Sequence, residues 1–268
     1  MERVVGSGLA TVEAEADGTF VLRVDGSLQS QVDLADPTHL GFEYVRRIGD
    51  IVDALVPRRQ PISVVHIGGA GLTLPRYVAA TRPRSRQIVL EPDEDLTDFV
   101  REVLPLPKRA GIKVRPATGR AGLKDIYDDS TDLIIVDAFV RETVPENLVT
   151  REFTAECARV LRPAGILVHN LIDGSAGLGF VRRVATTVRI GLGDGVALAE
   201  RKVLRGKAFG NVILAASRHP VPDLTTVGGR AHPPYDVLPL TELAGKAEPL
   251  TDAESFVSPA APSGTFRK

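Results

Sequence analysis

Short β-type segments, separated by turn dipeptides, occupy the first part of the chain. Between residues 9 and 32 the apolar positions come in brief runs, interrupted by Asp-Gly pairs at 17–18 and 25–26. Such pairs favour tight hairpin turns, because both residues tolerate positive φ. We therefore predict a three-stranded β-meander within residues 1–36.

A second spacing begins after the meander. In residues 37–57 apolar side chains recur every three to four positions and stop before Pro57, which predicts an amphipathic connecting helix. Residues 58–218 alternate strand-like apolar runs with helical patterns. The predicted strands are 62–67, 87–91, 112–115, 133–137 and 166–170. Strands apolar on both faces that alternate with helices indicate an α/β fold, with a mostly parallel sheet covered on both sides.

The last part of the chain has a different composition. Two further β-type runs, 196–201 and 211–217, are joined by a glycine-containing connector and are predicted to pair antiparallel at the sheet edge. Residues 219–268 form a Pro- and Gly-rich C-terminal extension. Its final segment, 258–268, is predicted to be a disordered tail.

The strongest local motif is a hydrophobic strand that runs into Gly68, Gly69 and Gly71 just before a helical pattern. Glycines let a ligand approach the backbone closely, and the helix N-terminus offers free N–H groups. Glu91 ends the next strand, about 20 residues later, where Rossmann-like folds carry an acid that binds ribose hydroxyls. A glycine turn can be purely architectural, but the two features together favour nucleoside binding.

A carboxylate also ends the predicted strand 133–137. In an open α/β sheet the carboxyl ends of the strands face the ligand crevice, so Asp137 should point at whatever lies beside the nucleoside. A helix-capping role is an equal alternative on position alone. His169 and Asn170 end another strand on the same rim. A structural histidine explains His169 better than a metal ligand, since no second ligand stands at a suitable spacing.

Charge and cysteine content narrow the range of partners. Lys and Arg number 33 against 34 Asp and Glu, so no long-range field attracts nucleic acid or an anionic membrane. A small molecule is the expected partner. Cys157 is the only cysteine, which fits a reducing compartment. No apolar run approaches the roughly 20 residues of a membrane span and no signal-peptide core is evident, so we predict a cytoplasmic protein.

The order of these motifs resembles that of the spermidine synthases, the polyamine aminopropyltransferase family. The matching segments, in chain order, are 25–29, Glu43-Tyr44, 67–71, 91–93, Val136-Asp137 and Glu152-Phe153. The combination of an Asp-Gly-x-x-Gln hairpin with a strand-end Asp is specific, because ordinary methyltransferases lack the β-rich lead. The resemblance covers residues 9–217 and implies a methyltransferase-type Rossmann-like sheet. It also implies aminopropyl transfer from decarboxylated S-adenosylmethionine to a diamine, by a homodimer.

The resemblance implies roles for individual residues. Gln29 matches a glutamine that contacts the aminopropyl donor, and Tyr44 matches a tyrosine of the pocket. Glu91 matches the ribose-binding acid. Asp137 matches the aspartate that holds the attacking amine and receives its proton, since an alkylammonium with a pKa near 10 must be deprotonated before it attacks. The nucleoside is a co-substrate, and neither a tightly bound cofactor nor a metal is expected.

The sequence departs from the family pattern at three places. The glycine loop continues as Gly71-Leu72-Thr73, without the Asp that binds the donor's amino group. Val140 stands where the family carries a second Asp, and Arg141 follows it. Thr118 stands in place of the Asp that contacts adenine, although its hydroxyl can still accept a hydrogen bond. The first two losses, with the nearby Arg141, should weaken the binding of a dication.

Three functions therefore remain open. The first is an aminopropyltransferase, with Glu142 or Glu146 as a candidate replacement for the lost acid. The second is an S-adenosylmethionine-dependent methyltransferase, in which Asp137 merely closes the pocket. The third is a nucleoside-binding or oligomerising protein without catalysis. Pocket charge distinguishes the first two, because ordinary S-adenosylmethionine carries a carboxylate that would favour a basic residue, whereas the decarboxylated form does not.

Overall fold

The computed structural model describes residues 1–140, 142–174, 177–254 and 256–260. Two sheets are present in these parts of the chain. The smaller one consists of four antiparallel strands in sequence order: β1 (Glu2–Val5), β2 (Gly8–Ala14), β3 (Phe20–Val24) and β4 (Ser27–Val32). The predicted three-stranded meander is thus one strand short. The run Glu2–Val5 lacks a buried apolar stripe, since only Val5 is buried and Val4 is 79% exposed, so its pattern does not read as a strand.

Both predicted Asp-Gly turns join strands of the smaller sheet. Asp25 and Gly26, between β3 and β4, have φ values of 48° and 78°, and such positive values are what a tight hairpin turn requires. Asp25 Oδ1 also accepts a hydrogen bond from the Leu9 N–H at 2.8 Å. This bond ties the turn to β2 and fixes where β4 begins.

The larger sheet has eight strands and follows the predicted α/β pattern. Its strands are β5 (Ser63–Ile67), β6 (Arg86–Leu90), β7 (Ile112–Arg115), β8 (Thr131–Val136), β9 (Leu161–Asp173), β10 (Gly195–Ala199), β11 (Gly210–Ala216) and β12 (Asp236–Pro239). They are arranged in the order β12-β10-β11-β9-β8-β5-β6-β7. Strands β5 to β9 pair in parallel, and β9 to β12 pair antiparallel. The mostly parallel sheet and the small N-terminal sheet predicted from the sequence are confirmed.

Helices cover both faces of the larger sheet. They are α1 (Glu43–Leu55), α2 (Thr73–Thr81), α3 (Glu94–Val103), α4 (Gly119–Leu123), α5 (Arg151–Val160), α6 (Gly179–Leu192), α7 (Arg201–Leu204), α8 (Thr225–Arg230) and α9 (Leu240–Ala244). On one face the buried apolar residues of α1 and α2 pack on β5, β8 and β9. On the other face α5 and α6 pack on the same strands. None of the helices in the described part of the chain is long and apolar enough to cross a membrane.

The connecting helix is shorter than the predicted span 37–57, because the residues before it form hydrogen-bonded turns. Asp33 Oδ1 accepts hydrogen bonds from the backbone N–H of Ala35 and Asp36, and Asp36 Oδ1 accepts from Thr38 N–H. Carboxylates that bind the backbone in this way compete with helix formation. The helix α1 therefore begins only at Glu43.

The C-terminal extension is more ordered than its composition suggests. Strand β12 pairs with β10, so the pair β10–β11 is antiparallel as predicted but does not form the sheet edge. Ser258 is buried, and its Oγ accepts a hydrogen bond from Val144 N–H at 2.8 Å. The predicted disordered tail is therefore wrong at Ser258, and its residues 261–268 lie outside the described residues.

Candidate functional site

The smaller sheet packs directly on the glycine loop of the larger one. Ser30 Oγ on β4 accepts a hydrogen bond from Gly71 N–H at 3.0 Å, and Thr73 Oγ1 donates to the Gln31 carbonyl at 2.9 Å. A Cβ at Gly71 would lie 2.7 Å from Ser30 Cβ, so only glycine allows this approach. The two contacts place β4 as one wall over the loop.

A cavity of about 120 Å³ opens between β4, α1 and the carboxyl ends of the central strands. It is lined by Ser27, Leu28, Gln29, Ser30, Phe42, Tyr44, Val45, His66, Gly68, Gly69, Ala70, Thr73, Leu74, Pro75, Ile135, Asp137, Phe139, Glu142, Asn170, Ile172 and Asn211. Five of the predicted site residues are thus brought together: Gln29, Tyr44, Gly68, Gly69 and Asp137. The volume exceeds several-fold the space that one ordered water needs.

The other three predicted site residues are not among those that line the cavity. Gly71 contacts β4, as described above. Thr118 is the N-cap of α4, where its Oγ1 accepts from Ala121 N–H at 3.3 Å. Glu91 lies behind the loop, and its carboxylate accepts hydrogen bonds from Gly69 N–H at 2.9 Å and from Asp93 N–H at 3.1 Å.

The glycine loop depends on Gly68 for its path. This residue has φ of +95°, and a Cβ here would overlap the backbone carbonyl of Asp137. The Asp137 N–H in turn donates to the Ile67 carbonyl at 2.9 Å. The loop and the strand end that carries Asp137 are therefore packed against each other, backbone to backbone.

The Asp137 carboxylate has two side-chain partners within the cavity. Asn170 Nδ2 donates to Asp137 Oδ1 at 2.8 Å, and the Tyr44 hydroxyl forms a hydrogen bond with the same carboxylate. Burial raises the pKa of Asp137, and the hydrogen bonds from Asn170 and Tyr44 oppose that rise. Burial also raises the pKa of Tyr44, with the Asp137 charge acting in the same direction, so the phenol stays protonated and donates.

Asn211 is hydrogen-bonded to Asn170 on the side away from Asp137 in the chain of amides. Its Nδ2 donates to Asn170 Oδ1 at 2.9 Å, and its backbone carbonyl accepts from the buried Arg47 guanidinium at 3.5 Å. Asn211 and Tyr44 also line a wider groove of about 810 Å³ that extends between the smaller sheet and α1. The groove and the cavity therefore meet at Tyr44 and Asn211. Sequence reasoning missed Asn211, because it begins an apolar strand without any motif.

The loop after β8 supplies a second carboxylate. Val140 and Thr143 exchange backbone hydrogen bonds of 2.9 and 3.2 Å, which close a tight turn that contains Glu142. Glu142 lines the cavity, whereas the Val140 side chain is 62% exposed. Glu146 Oε2 instead accepts from the Phe256 N–H at 3.3 Å, on the outside of the protein. Arg141 lies outside the described residues.

The two strand-borne histidines are buried and neutral. His66 hydrogen-bonds Gln87 Oε1 at 2.9 Å, and His169 hydrogen-bonds the Leu148 carbonyl at 3.0 Å. Burial lowers the pKa of each to about 4. His169 does not line the cavity, so the prediction of a structural role fits its position. Among the described lining residues, Asp137 and Glu142 are the acidic side chains, and none is a lysine or an arginine.

Comparisons with known proteins point to one family by sequence. No family model matches the chain. The polyamine aminopropyltransferase of Chromobacterium violaceum is 28% identical over 149 residues, which are 55% of this chain and 56% of the relative. That of Neisseria meningitidis serogroup A is 27% identical over 178 residues, 64% of this chain and 65% of the relative. The matches thus span about half to two thirds of these relatives' length.

Solved structures extend the likeness over nearly the whole chain. A probable spermidine synthase from Corynebacterium glutamicum superimposes with a TM-score of 0.88 at 25% identity, covering 95% of this chain and 97% of that one. A spermidine synthase in complex with the transition state analogue AdoDATO has a TM-score of 0.57 at 16% identity, covering 82% and 72% of the two chains. Human methyltransferase-like protein 13 in complex with SAH has a TM-score of 0.55 at 18% identity, covering 67% and 83%.

The last two identities are low, and those structures show the fold alone, a methyltransferase-type sheet. The Corynebacterium structure also shares the small N-terminal sheet, since its match covers nearly all of both chains. Curated relatives and structural neighbours agree: the chain is similar in sequence to polyamine aminopropyltransferases and in structure to a probable spermidine synthase.

Proposed function

We propose that the protein binds decarboxylated S-adenosylmethionine and transfers its aminopropyl group to an amine held at Asp137. The observation that carries this proposal is the charge of the cavity. Its described lining includes the carboxyl groups of Asp137 and Glu142 and no lysine or arginine, and its one histidine, His66, is neutral. Such a cavity favours a cationic donor and a cationic acceptor, whereas the carboxylate of ordinary S-adenosylmethionine would meet like charge without a counter-ion.

In this proposal Asp137 acts as the general base. In the proposed reaction the acceptor ammonium first gives a proton to the Asp137 carboxylate, and the free amine attacks the carbon next to the sulfonium. The C–N bond forms as the C–S bond breaks, and its electron pair returns to sulfur to form methylthioadenosine. Because the pKa of Asp137 is raised, it lies closer to the pKa of the amine, which favours proton transfer between the two groups.

Glu142 would provide the second contact to the acceptor. The acid that the family carries three residues after Asp137 is missing, and the exposed Val140 is not at the cavity. Glu142 is at the cavity because the Val140–Thr143 turn directs it inward. We propose that it attracts the acceptor's cationic charge in place of the lost acid.

The nucleoside would lie over Gly68 and Gly69, with Gln29 on the donor side and the Glu91 carboxylate behind the loop. Glu91 already binds the backbone N–H groups of Gly69 and Asp93, so it both shapes the loop and offers charge near the ribose position. Burial raises the pKa of Glu91, and these hydrogen bonds oppose the rise. Thr118 would contribute by capping α4 rather than by contacting adenine.

A calorimetric comparison of three nucleosides tests the ligand part of the proposal. We expect methylthioadenosine and decarboxylated S-adenosylmethionine to bind, and ordinary S-adenosylmethionine to bind at least about tenfold more weakly because its carboxylate is unpaired. Tighter binding of ordinary S-adenosylmethionine would favour a methyltransferase. The cytoplasmic location and the homodimer are part of the same proposal, and sedimentation velocity measures the latter.

A further inference from the structure

The position of the Asp137 side chain depends on a chain of two amides. Asn170 is 1% exposed, and it donates from Nδ2 to Asp137 Oδ1 while its own Oδ1 accepts from Asn211 Nδ2. The reverse orientation of the Asn170 amide would put two oxygens against each other at 2.8 Å and two NH₂ groups at 2.9 Å. The Asp137 carboxylate, which only accepts when ionised, and the Asn211 NH₂ group together hold the Asn170 amide in this orientation, and only this orientation presents a donor to Asp137.

The sheet places these groups together through its register. Val136 on β8 pairs with His169 on β9, so Asp137 and Asn170 come next to each other at the same level. On the other side, Asn170 pairs with Ile213 and Asn211 pairs with Ile172. Asn170 and Asn211 are thus diagonal neighbours on one face of the antiparallel pair, within reach of side-chain hydrogen bonds.

Other groups around Asp137 do not replace the amide contact. Tyr44, on α1, is a second donor to the carboxylate. His66 on β5 lines the same cavity but is neutral, because burial lowers its pKa to about 4, and it is bound to Gln87. Glu142, on the loop after β8, is an acid and has no proton to donate when ionised. Asn170 is the donor contributed from the sheet.

We propose that Asn170, oriented by Asn211, is the positioning residue that fixes the Asp137 carboxylate toward the reacting amine. Removing the Asn170 donor leaves a buried carboxylate with one hydrogen bond fewer, so its orientation is less constrained. The expected effect of this removal on turnover rests on the proposed aminopropyl transfer. Its expected effect on the pKa of Asp137 does not, since the contact is present in the protein without any substrate.

The test measures both consequences in three variants. Asn170→Leu removes the amide that contacts Asp137 while nearly conserving side-chain volume. Asn211→Leu removes only the NH₂ group that donates to Asn170. Asn147→Ala changes an exposed asparagine of the 146–148 turn and serves as the control. The Asp137 carboxyl carbon is followed by NMR across pH in each protein, with Asp137→Asn identifying the signal. The pH dependence of kcat/KM for methylthioadenosine release is measured on the same samples.

We expect the titration midpoint of Asp137 to rise by about one pH unit in Asn170→Leu and by less in Asn211→Leu, because a hydrogen bond to the charged form is lost. The acidic limb of the kcat/KM profile should move by the same amount, and kcat should fall about tenfold or more. Affinity for methylthioadenosine should stay unchanged. Asn147→Ala should match the wild type in all three measurements.

Two results would overturn the inference. One is an unchanged titration midpoint in both leucine variants. The other is a loss of turnover without a shift of the pH profile, which would make Asn170 a structural residue only. If Asn170→Leu does not fold, Asn211→Leu decides alone, since it leaves Asn170 in place. A midpoint that shifts in a protein without aminopropyl transfer would support the positioning role and reject the proposed function.

Discussion

At the scale of single residues, the site combines motifs that the sequence shows with contacts that it hides. Gly68, Gly69 and Asp137 were predictable, because strand ends can be located from hydrophobic patterns, whereas Gln29 and Tyr44 were implied only by the family resemblance. Whether a loop residue faces inward is decided by turn geometry that the pattern does not encode. Glu142 and Glu146 were equal candidates for that reason, and only the Val140–Thr143 turn distinguishes them.

Replacement of Glu142 tests its proposed contact with the acceptor. Glu142→Gln should raise KM for putrescine about tenfold, because one ionic contact is lost in a partly buried site. Glu146→Gln is the matched control, since Glu146 lies on the same loop but is exposed. Val140→Asp should have little effect, because that side chain points to solvent. An improved KM in Val140→Asp, with no change in Glu142→Gln, would assign the acceptor contact to position 140.

Replacement of Glu91 tests the nucleoside position. Glu91→Gln should weaken methylthioadenosine binding about tenfold, because a charge-assisted contact becomes a neutral one. The glutamine retains one oxygen that can accept the Gly69 N–H, so the loop should stay in place. Glu94→Gln changes an exposed neighbour on α3 and should bind like the wild type. Equal affinity of all three proteins would make Glu91 a purely structural acid.

At the scale of elements, the apolar runs located all five parallel strands of the larger sheet, including the edge strand β7, which has no fully buried residue. The strand Ile112–Arg115 has the predicted bounds, and the other central strands differ mainly at their ends. The start of α1 was misplaced because the Asp33 and Asp36 carboxylates form turns in residues that otherwise fit the helical spacing. Strand β12 was missed because Pro and Gly surround it and its pairing with β10 is distant in sequence.

The contact between β4 and the glycine loop yields a prediction at this scale. Gly71→Ala should destabilise the protein by roughly 1–3 kcal/mol and weaken nucleoside binding, because the new methyl group overlaps Ser30. Ser30→Gly should rescue part of this loss in the double variant, although Val32 also lies close. Denaturant unfolding and calorimetry measure the two effects. If the changes in the free energy of unfolding of the two single variants simply add in the double variant, the proposed clash is contradicted.

At the scale of the whole molecule, two buried histidines make stability depend on pH. Both have a pKa of about 4 in the folded protein and an ordinary value near 6.5 when unfolded, so the unfolded chain binds more protons between these values. The free energy of unfolding should therefore decrease as pH falls from about 6.5 to 4. The two histidines together lower it by up to about 2.7 kcal/mol per pH unit.

Urea unfolding at several pH values measures this slope. His66→Gln should lose about half of it, because the glutamine stays neutral across the range. A slope that is the same in the variant would mean that other groups cause the pH dependence.

The central claim is that the acidic cavity around Asp137 transfers an aminopropyl group. Its most direct test is methylthioadenosine release from decarboxylated S-adenosylmethionine plus putrescine, by the wild type and by Asp137→Asn. We predict release by the wild type, loss of most turnover in Asp137→Asn, and equal methylthioadenosine affinity in both, because the amide fills the same space but is not a useful base. Absence of release from the wild type above the buffer rate, although both proteins bind methylthioadenosine, would contradict the account.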